Sequence, residues 1–327
     1  MAVTSFLDTV FRRRKKKPTE FINIFEFDYD TIRVATDEFS NRIARGLCSV
    51  YKGRLQNGQE IAVKILSQSS VRTEREFRNE VEILSKLKHK NLISLLGFCF
   101  KRDQYCLVYE FMPNLNLHRF IFDPNRASQL NWEMCRDVIQ GVAQGLRYLH
   151  EESGLRVVHR DIGENEAEST EISGTLGFLD PYYIRSLRFS VKSDVYAFGV
   201  TILTIISRRR DYDYEEEPLI IYVMGCWNRG EAINVIHEVM REQERGDSIR
   251  EILRYIHIAL LCIDENAETR PSLDKVLHWF SCFSTPLPEP AISIQFLVEE
   301  DTNQSLSPSL SPGHSSVLSP MSSRYGD

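Results

Sequence analysis

Along the chain the spacing of apolar residues changes character twice. The first part carries short strand-like pieces, "SVYKGRL" and "EIAVKIL", on either side of "QNG", whose Asn57-Gly58 suits a tight hairpin turn. A helix follows: in "EREFRNEVEILSKLKHK", Phe77, Val81, Leu84 and Leu87 recur at helical spacing, and "YCLVYEF" then reads as a buried strand. These elements predict a small, mostly antiparallel sheet with one helix. From Trp132 the period turns helical throughout, with Trp132, Cys135, Ile139, Val142, Leu146 and Leu149 three or four positions apart. "DVYAFGVTILTII" is apolar nearly all round, as a helix at the centre of a second lobe would be, and "SIREILRYIHIALLCI" supplies another long helix.

Two charges interrupt these apolar faces. Strand alternation puts Lys64 on the side of Ala62 and Leu66, and helical spacing puts Glu80 on the stripe with Phe77, Leu84 and Leu87. Each needs a partner. They could meet each other as a purely structural bridge, or the carboxylate could hold the lysine ready for nucleotide phosphates; spacing alone leaves both open.

Composition narrows the function classes. The 327 residues are enough for two lobes, and 42% hydrophobic content allows a substantial core. Acidic residues outnumber basic ones, 46 to 40, which argues against a nucleic-acid binder. The seven cysteines (Cys48, Cys99, Cys106, Cys135, Cys226, Cys262 and Cys282) form no C-x-x-C pair and mostly sit in apolar runs, as reduced cytosolic thiols do. No apolar run approaches the roughly 18 to 20 residues that span a bilayer. At the N-terminus the basic run Arg12 to Lys17 follows a short apolar segment, the reverse of a signal peptide, and Ala2 excludes N-myristoylation. That run reads as a solvated tail, as a peripheral contact with anionic membrane worth about 1 kcal/mol per basic residue, or as a nuclear address. The C-terminal "SLSPSLSPGHSSVLSP" has the composition of a disordered tail, in which Ser307, Ser311 and Ser319 precede proline as phosphosite candidates.

The segments "EIAVKIL", "EFRNEVEILSKLKHKNLISLLGFC", "LVYEFMPN", "GLRYLHEESGLRVVHRDI", "GTLGFLDPYY", "KSDVYAFGV" and "ETRPSLDKVL" stand in the order of the eukaryotic protein kinase domain. The core resembles the kinase domain of plant cysteine-rich receptor-like kinases and related receptor-like cytoplasmic kinases. The resemblance implies an α+β, bilobal fold. Its expected parts are a basic juxtamembrane-like segment at 1–38, a small lobe at 39–112, a mostly helical large lobe at 113–284 and a disordered Ser/Pro-rich tail at 285–327. Without a membrane span the chain fits the cytoplasmic type, with membrane receptor-like kinases and other signalling kinases as implied partners. Carried over by position, Lys64 is the phosphate-binding lysine and Glu80 its helix partner. Ile43, Ala44, Gly46, Cys48, Val50, Ala62, Tyr109, Glu110 and Met112 would surround ATP. Asp161 would orient the substrate hydroxyl, with His159 and Arg160 beside it. Asp194 would anchor the central helix, and Thr175 would lie near Asp161 as a phosphosite candidate.

The departures from the family pattern are as informative as the matches. The phosphate loop should read G-x-G-x-x-G-x-V, but "ARGLCSV", Ala44 to Val50, keeps only Gly46, and side chains at Ala44 and Cys48 hinder close approach of backbone to phosphate. After Asp161 the family places a lysine two positions on and a magnesium-binding asparagine five positions on; this chain has Gly163 and Glu166, with Asn165 one register off. No D-F-G exists, since the chain passes from Ile162 through "GENEAESTEIS" to Gly174. No metal-binding residue is therefore assigned, and an ATP site with weak or no magnesium support is expected. The "GENEAESTE" run is expected to be a solvated loop, or a remnant activation loop with Ser169 or Thr170 as phosphosites facing Arg160. The missing D-F-G phenylalanine would leave a hole worth about 3 to 5 kcal/mol and couple the lobes loosely. In the family Arg270 of "ETRPS" meets a glutamate of A-P-E, but Tyr182 stands at that position, so either Asp180 takes its place or the arginine becomes exposed. Three functions fit: a catalytically impaired pseudokinase that tunes partner receptor kinases, in stress or defence signalling by the family likeness; an active serine/threonine kinase of which this chain is a splice form or faulty gene model; or a phosphorylated scaffold.

Overall fold

The structure, a computed structural model, describes residues 24–44, 49–66, 74–101, 104–113, 117–123, 126, 129–154, 166–168, 177–210 and 217–291. The basic run Arg12 to Lys17, Gly46, Cys48, His159, Arg160, Asp161 and the phosphosite candidates Ser169, Thr170, Thr175, Ser307, Ser311 and Ser319 lie outside the described residues.

The small lobe begins before residue 39. Strand β1 (Phe25–Glu26) pairs in parallel with β5, and helix α1 (Tyr29–Ala35) starts at Asp28, whose carboxylate accepts from the backbone N–H of Asp30 and Thr31. Strands β2 (Arg42–Ala44), β3 (Ser49–Arg54) and β4 (Glu60–Ile65), helix α2 (Glu74–Lys86), and strands β5 (Leu95–Lys101) and β6 (Gln104–Glu110) follow. The sheet order is β1-β5-β6-β4-β3-β2, antiparallel except at β1. The β3–β4 hairpin turns at Gly58, with φ +82°, and Asn57 accepts from the Gln59 N–H.

Alternation along β4 and β6 explains why the N-terminal segment is recruited. Leu66, Leu95, Phe98 and Leu107 turn to one side, where Phe77 and Val81 of α2 cover them. Ile61, Val63, Cys99, Cys106 and Val108 turn to the other, and Ile32 of α1, itself fully buried, covers those. A sheet apolar on both faces needs two layers of cover, and α2 supplies only one. Residues 24–38, assigned from sequence to a juxtamembrane-like segment, supply the second. Gly97 on β5 is what lets β1 approach: a Cβ there would collide with the Phe25 carbonyl and the Phe27 ring.

The large lobe contains α3 (Leu117–Phe122), α4 (Trp132–Arg147, capped by Asn131), a π-turn (Tyr148–Glu152), strand β7 (Glu166–Glu168), α5 (Pro181–Ser186), strand β8 (Arg188–Ser190), α6 (Val191–Ser207), α7 (Leu219–Asn228), a 3-10 turn (Ala232–Val235), α8 (Glu238–Gln243), α9 (Asp247–Cys262) and α10 (Leu273–Ser281). Every residue of α6 from Ser193 to Ser207 is buried, as its all-round apolarity predicts. At Gly199 a Cβ would come within 2.8 Å of Cys262 Cβ and 2.9 Å of the Ala259 carbonyl, so α6 and α9 pack at backbone distance only because that position is bare.

Among the described residues, the end of α2 and the loop after it meet the large lobe. Ile83, Leu87 and Leu92 pack against the large-lobe core, the Lys88 N–H donates to the Tyr148 hydroxyl at 3.0 Å, and the His89 and Tyr148 rings stack at 5.0 Å.

Helix α6 ends at Arg208, a left-handed residue with φ +53° and ψ +25°. Its guanidinium is buried and donates from Nη2 to the Leu130 carbonyl, while Nε and Nη1 have no partner. Burial lowers its pKa, but an arginine stays charged at any working pH. An L-residue in this conformation costs roughly 1–2 kcal/mol, and unmet buried donors cost more. Arg208→Gly should therefore stabilise the protein by about 1 kcal/mol or more, read as a higher urea midpoint with an unchanged slope.

The cysteines divide by environment. Cys99, Cys106, Cys135, Cys226 and Cys262 are buried free thiols, and burial pushes Cys135 and Cys262 up to about 12. Cys282 is half-buried, and hydrogen bonds from Ser284 and Thr285 bring its thiol down to about 7. Iodoacetamide at pH 7.0–8.0 should therefore label Cys282 before any of the five buried cysteines, as peptide mapping by mass spectrometry would resolve.

Candidate functional site

The strand register gathers much of the site read from sequence onto one face. Ala44 stands opposite Val50, Val50 opposite Lys64, Ala62 opposite Tyr109 and Lys64 opposite Leu107, so these side chains share the face that α2 covers. Ile43 is the neighbouring residue on β2. Lys64 on β4 and Glu80 on α2 are both half-buried. At the end of β6, Glu110 turns back: its carboxylate accepts from the Ser94 N–H at 3.0 Å, and its own N–H donates to the Ser94 carbonyl at 3.2 Å. Next to it the Phe111 ring lies 4.1 Å beneath the Lys52 ammonium, which is held in turn by Glu60 at 2.7 Å. Met112 follows, half-buried. The connection between lobes is thus fixed by Ser94 and Lys52, neither of which stood out in the sequence.

On the large-lobe side, α6 begins at Ser190 with a capping box closed by Ser193. Asp194 sits in its first turn, and its carboxylate lies 2.8 Å from His150 Nε2, both side chains being almost fully buried. The π-turn after α4 delivers His150 to this point.

Arg270 lies between α9 and α10 and is completely buried. Its Nη1 and Nη2 donate to the two carboxylate oxygens of Asp180, each at 2.8 Å. Asp180 also caps α5 by accepting from the Tyr182 N–H at 2.9 Å and takes a hydrogen bond from Ser193 at 2.8 Å. The guanidinium is completed by the carbonyls of Asp264 and Lys192 and rests over the Tyr196 ring. Lys192 closes the circuit by donating to the Arg270 carbonyl, and burial lowers its pKa. Asp180 thus fills the place that Tyr182 vacates, and every polar atom of the pair is satisfied.

The acidic run after Asp161 is not wholly loop. Glu166, Ala167 and Glu168 form β7 and pair antiparallel with Ser190, Phe189 and Arg188 of β8. The backbone of Glu166 is therefore fixed opposite the cap of α6. Across α5, the Tyr183 ring packs edge-on against Phe189 at 5.3 Å. Among the described residues no group of three or more His, Cys, Asp or Glu side chains is assembled that could hold a metal ion.

A small sheet lobe with an inner helix, joined by a short connector to a helical lobe built round one buried helix, defines a protein kinase fold. The family model for protein tyrosine and serine/threonine kinases matches residues 38–167, ending inside β7. The chain is 70% identical over 351 aligned positions to cysteine-rich receptor-like protein kinase 45 of Arabidopsis thaliana, covering 99% of this chain and 100% of that protein. It is 39% identical to cysteine-rich receptor-like protein kinase 44 of the same plant, covering 82% of this chain and 79% of that one. Against cysteine-rich receptor-like protein kinase 38 the identity is 41%, over 82% of this chain and 45% of the relative. The chain belongs to the cysteine-rich receptor-like protein kinase family. An alignment of 351 positions against 327 residues also means that the first of these relatives carries positions this chain lacks.

Kinase domains in general use ATP with magnesium. Ala44, Val50, Ala62, Lys64 and Tyr109 lie together on the face that α2 covers, where the family resemblance would place the nucleotide. No helix among the described residues is long and apolar enough to cross a membrane.

Removing the charge at Asp180 would strand the Arg270 guanidinium. Asp180→Asn should cost about 3 kcal/mol or more, seen as a lowered melting temperature, while Tyr182→Phe leaves it nearly unchanged.

Proposed function

We propose that this chain is a pseudokinase that regulates partner receptor-like kinases by binding them and does not itself transfer phosphate. The observation that carries the reading is a mismatch between chemistry and scaffold. The run from Asp161 to Gly174 holds neither the asparagine nor the D-F-G aspartate of the family pattern, yet the large-lobe motifs on either side are retained. Phosphoryl transfer depends on positioning and on neutralising charge at the transferring group, so loss of both metal ligands removes a large part of catalysis. The buried Asp180–Arg270 pair supports the same reading, because it maintains the partner-facing side of the lobe where the usual glutamate is absent. What remains is a folded surface able to engage another kinase, with ATP as a permissible ligand on the Lys64 face.

A second reading has its own support. The aligned positions that this chain lacks suit an active serine/threonine kinase of which this is a splice form or an incomplete gene model.

Both are tested together by phosphotransfer from radiolabelled ATP to a generic peptide, with magnesium or manganese, comparing this chain with a version that carries the corresponding segment of the 70%-identical relative. The pseudokinase reading expects turnover at least a thousandfold below the roughly 1–100 per second of ordinary kinases. Turnover within tenfold of that range would overturn it. Transcripts across Asp161 to Gly174 that contain the longer segment would favour the second reading.

A further inference from the structure

Beyond the end of α10 the chain turns back across α9, and side chains of both helices hold it there. Arg254 on α9 donates from Nε to the Trp279 carbonyl at 3.0 Å, and from Nη2 to the carbonyls of Cys282 at 3.0 Å and Thr285 at 2.9 Å. His257, one turn further along α9, meets the Pro288 carbonyl through Nε2 at 2.8 Å. His278, in the last turn of α10, brings its Nε2 to 3.2 Å from the Thr285 hydroxyl. The Arg254 guanidinium also lies over the Phe283 ring at 5.4 Å, yet among the described residues no carboxylate pairs with it. It is a half-buried cation held by neutral groups alone. Thr285 therefore stands with a guanidinium at its carbonyl and an imidazole at its hydroxyl.

Serine or threonine precedes proline at four positions, Thr285, Ser307, Ser311 and Ser319, and Thr285 is the one within the described residues. The run that follows it, "PLPEP", has no regular secondary structure, and its Pro286, Pro288 and Glu289 are exposed. Proline has no N–H, so a kinase whose substrate groove leaves that position without an acceptor selects such a residue.

We infer that Thr285 is a phosphorylation site for a proline-directed serine/threonine kinase, and that His278 and Arg254 receive the phosphate. In the step, Thr285 Oγ1 attacks the γ-phosphorus of ATP held by that kinase. The new Oγ1–P bond replaces the bond to the β-phosphate oxygen, ADP leaves, and the hydroxyl proton passes to the base of the modifying kinase. The product carries about −1.5 to −2 charge and new acceptor oxygens. His278 Nε2 already lies at hydrogen-bond distance from the atom to which the phosphorus becomes joined, so it can donate to one of them. Oγ1 and the carbonyl that Arg254 holds belong to the same residue, which brings the guanidinium within reach of another. The phosphate thus supplies the counter-charge that Arg254 lacks, and it fastens the chain beyond α10 to α9. Cys282 reports on the event. Hydrogen bonds from Ser284 and Thr285 bring its thiol down to about 7. Turning the Thr285 hydroxyl into a phosphate removes one donor and sets negative charge beside the thiolate, which raises the thiol again.

The test uses the full chain carrying Ser307→Ala, Ser311→Ala and Ser319→Ala, so that Thr285 is the remaining site of this type. It is incubated with ATP, magnesium and a purified proline-directed kinase, and peptide mapping by mass spectrometry locates the phosphate. Thr285 should be modified, and Pro286→Ala should remove that modification. The modified chain should melt about 2 °C or more above the unmodified one, and phosphatase should reverse the rise. His278→Ala, at an exposed position of α10, should keep the phosphate and lose most of the rise. At about pH 7, iodoacetamide should label Cys282 about threefold or more slowly after phosphorylation. The assignment is overturned if the kinase modifies the tail serines of the unaltered chain but not Thr285, if the phosphate brings no rise in melting temperature, if His278→Ala leaves the rise whole, or if Cys282 is labelled at an unchanged rate.

Discussion

A guanidinium removed from water must find a carboxylate, and around Arg270 that requirement organises one side of the large lobe. Asp180 accepts both Nη groups, caps α5 through the Tyr182 N–H and receives the Ser193 hydroxyl, so one side chain joins α5, the start of α6 and the loop before α10. Stranding either charge would cost several kcal/mol, a large share of the 5–15 kcal/mol that holds a domain together. Once the pair exists, α6 is pinned at its first turn, and the Asp194 and His150 contact follows from that placement. The ion pair does not make the lobe stable by itself; the buried faces of α4, α6 and α9 do that. It decides where the ends of those helices sit.

The small lobe obeys a different constraint. Its sheet presents apolar residues on both faces, and the order of elements from β2 onward provides a helix for only one. The segment ahead of β2 closes the other by adding one short strand and one two-turn helix. This explains a boundary that hydrophobic periodicity did not reveal. "FEFDYDTIRVA" is too short and too charged to read as core, since only Ile32 is fully buried in it. The need for it becomes visible only when Cys99, Cys106 and Val108 are seen to share a face with Ile61 and Val63.

Most of the fold was legible because its long elements carry strong periods. Phe77, Val81 and Leu84 mark α2, and the run from Trp132 to Leu146 marks α4 with its Asn131 cap. The apolar run from Val195 to Ile206 marks α6. The exchange of Glu for Asp at the Arg270 pair was legible as one of two outcomes, since a buried arginine demands a carboxylate and Asp180 is the near one; the other, an exposed arginine, does not occur. Three kinds of feature were not. The Ser94 and Glu110 bonds depend on backbone groups that carry no sequence signal. The β7 strand arises from "EAE", acidic residues of low strand propensity, and exists because β8 offers it an edge. A cavity between the lobes is lined by His89, Gln144 and Leu277, residues far apart in the sequence that meet only through the crossing of distant elements.

The separation of scaffold from chemistry follows from where the apolar area is invested. Helices α4, α6, α9 and α10 form one continuous core that includes Trp132, Phe198, Tyr255 and Phe280. In the sequence the departures that touch the family's metal-binding positions fall between Asp161 and Gly174, beyond the end of α4 and before α5. Catalytic groups carried on loops contribute little burial, so they can be lost at small cost to the core, whereas loss of a core helix could not be tolerated. The β7 and β8 ladder ties this connection to the cap of α6, and the Lys88 and His89 contacts with Tyr148 join the lobes. In a kinase fold built in this way the core is set by its buried helices and the chemistry by residues on loops, so the two can vary separately.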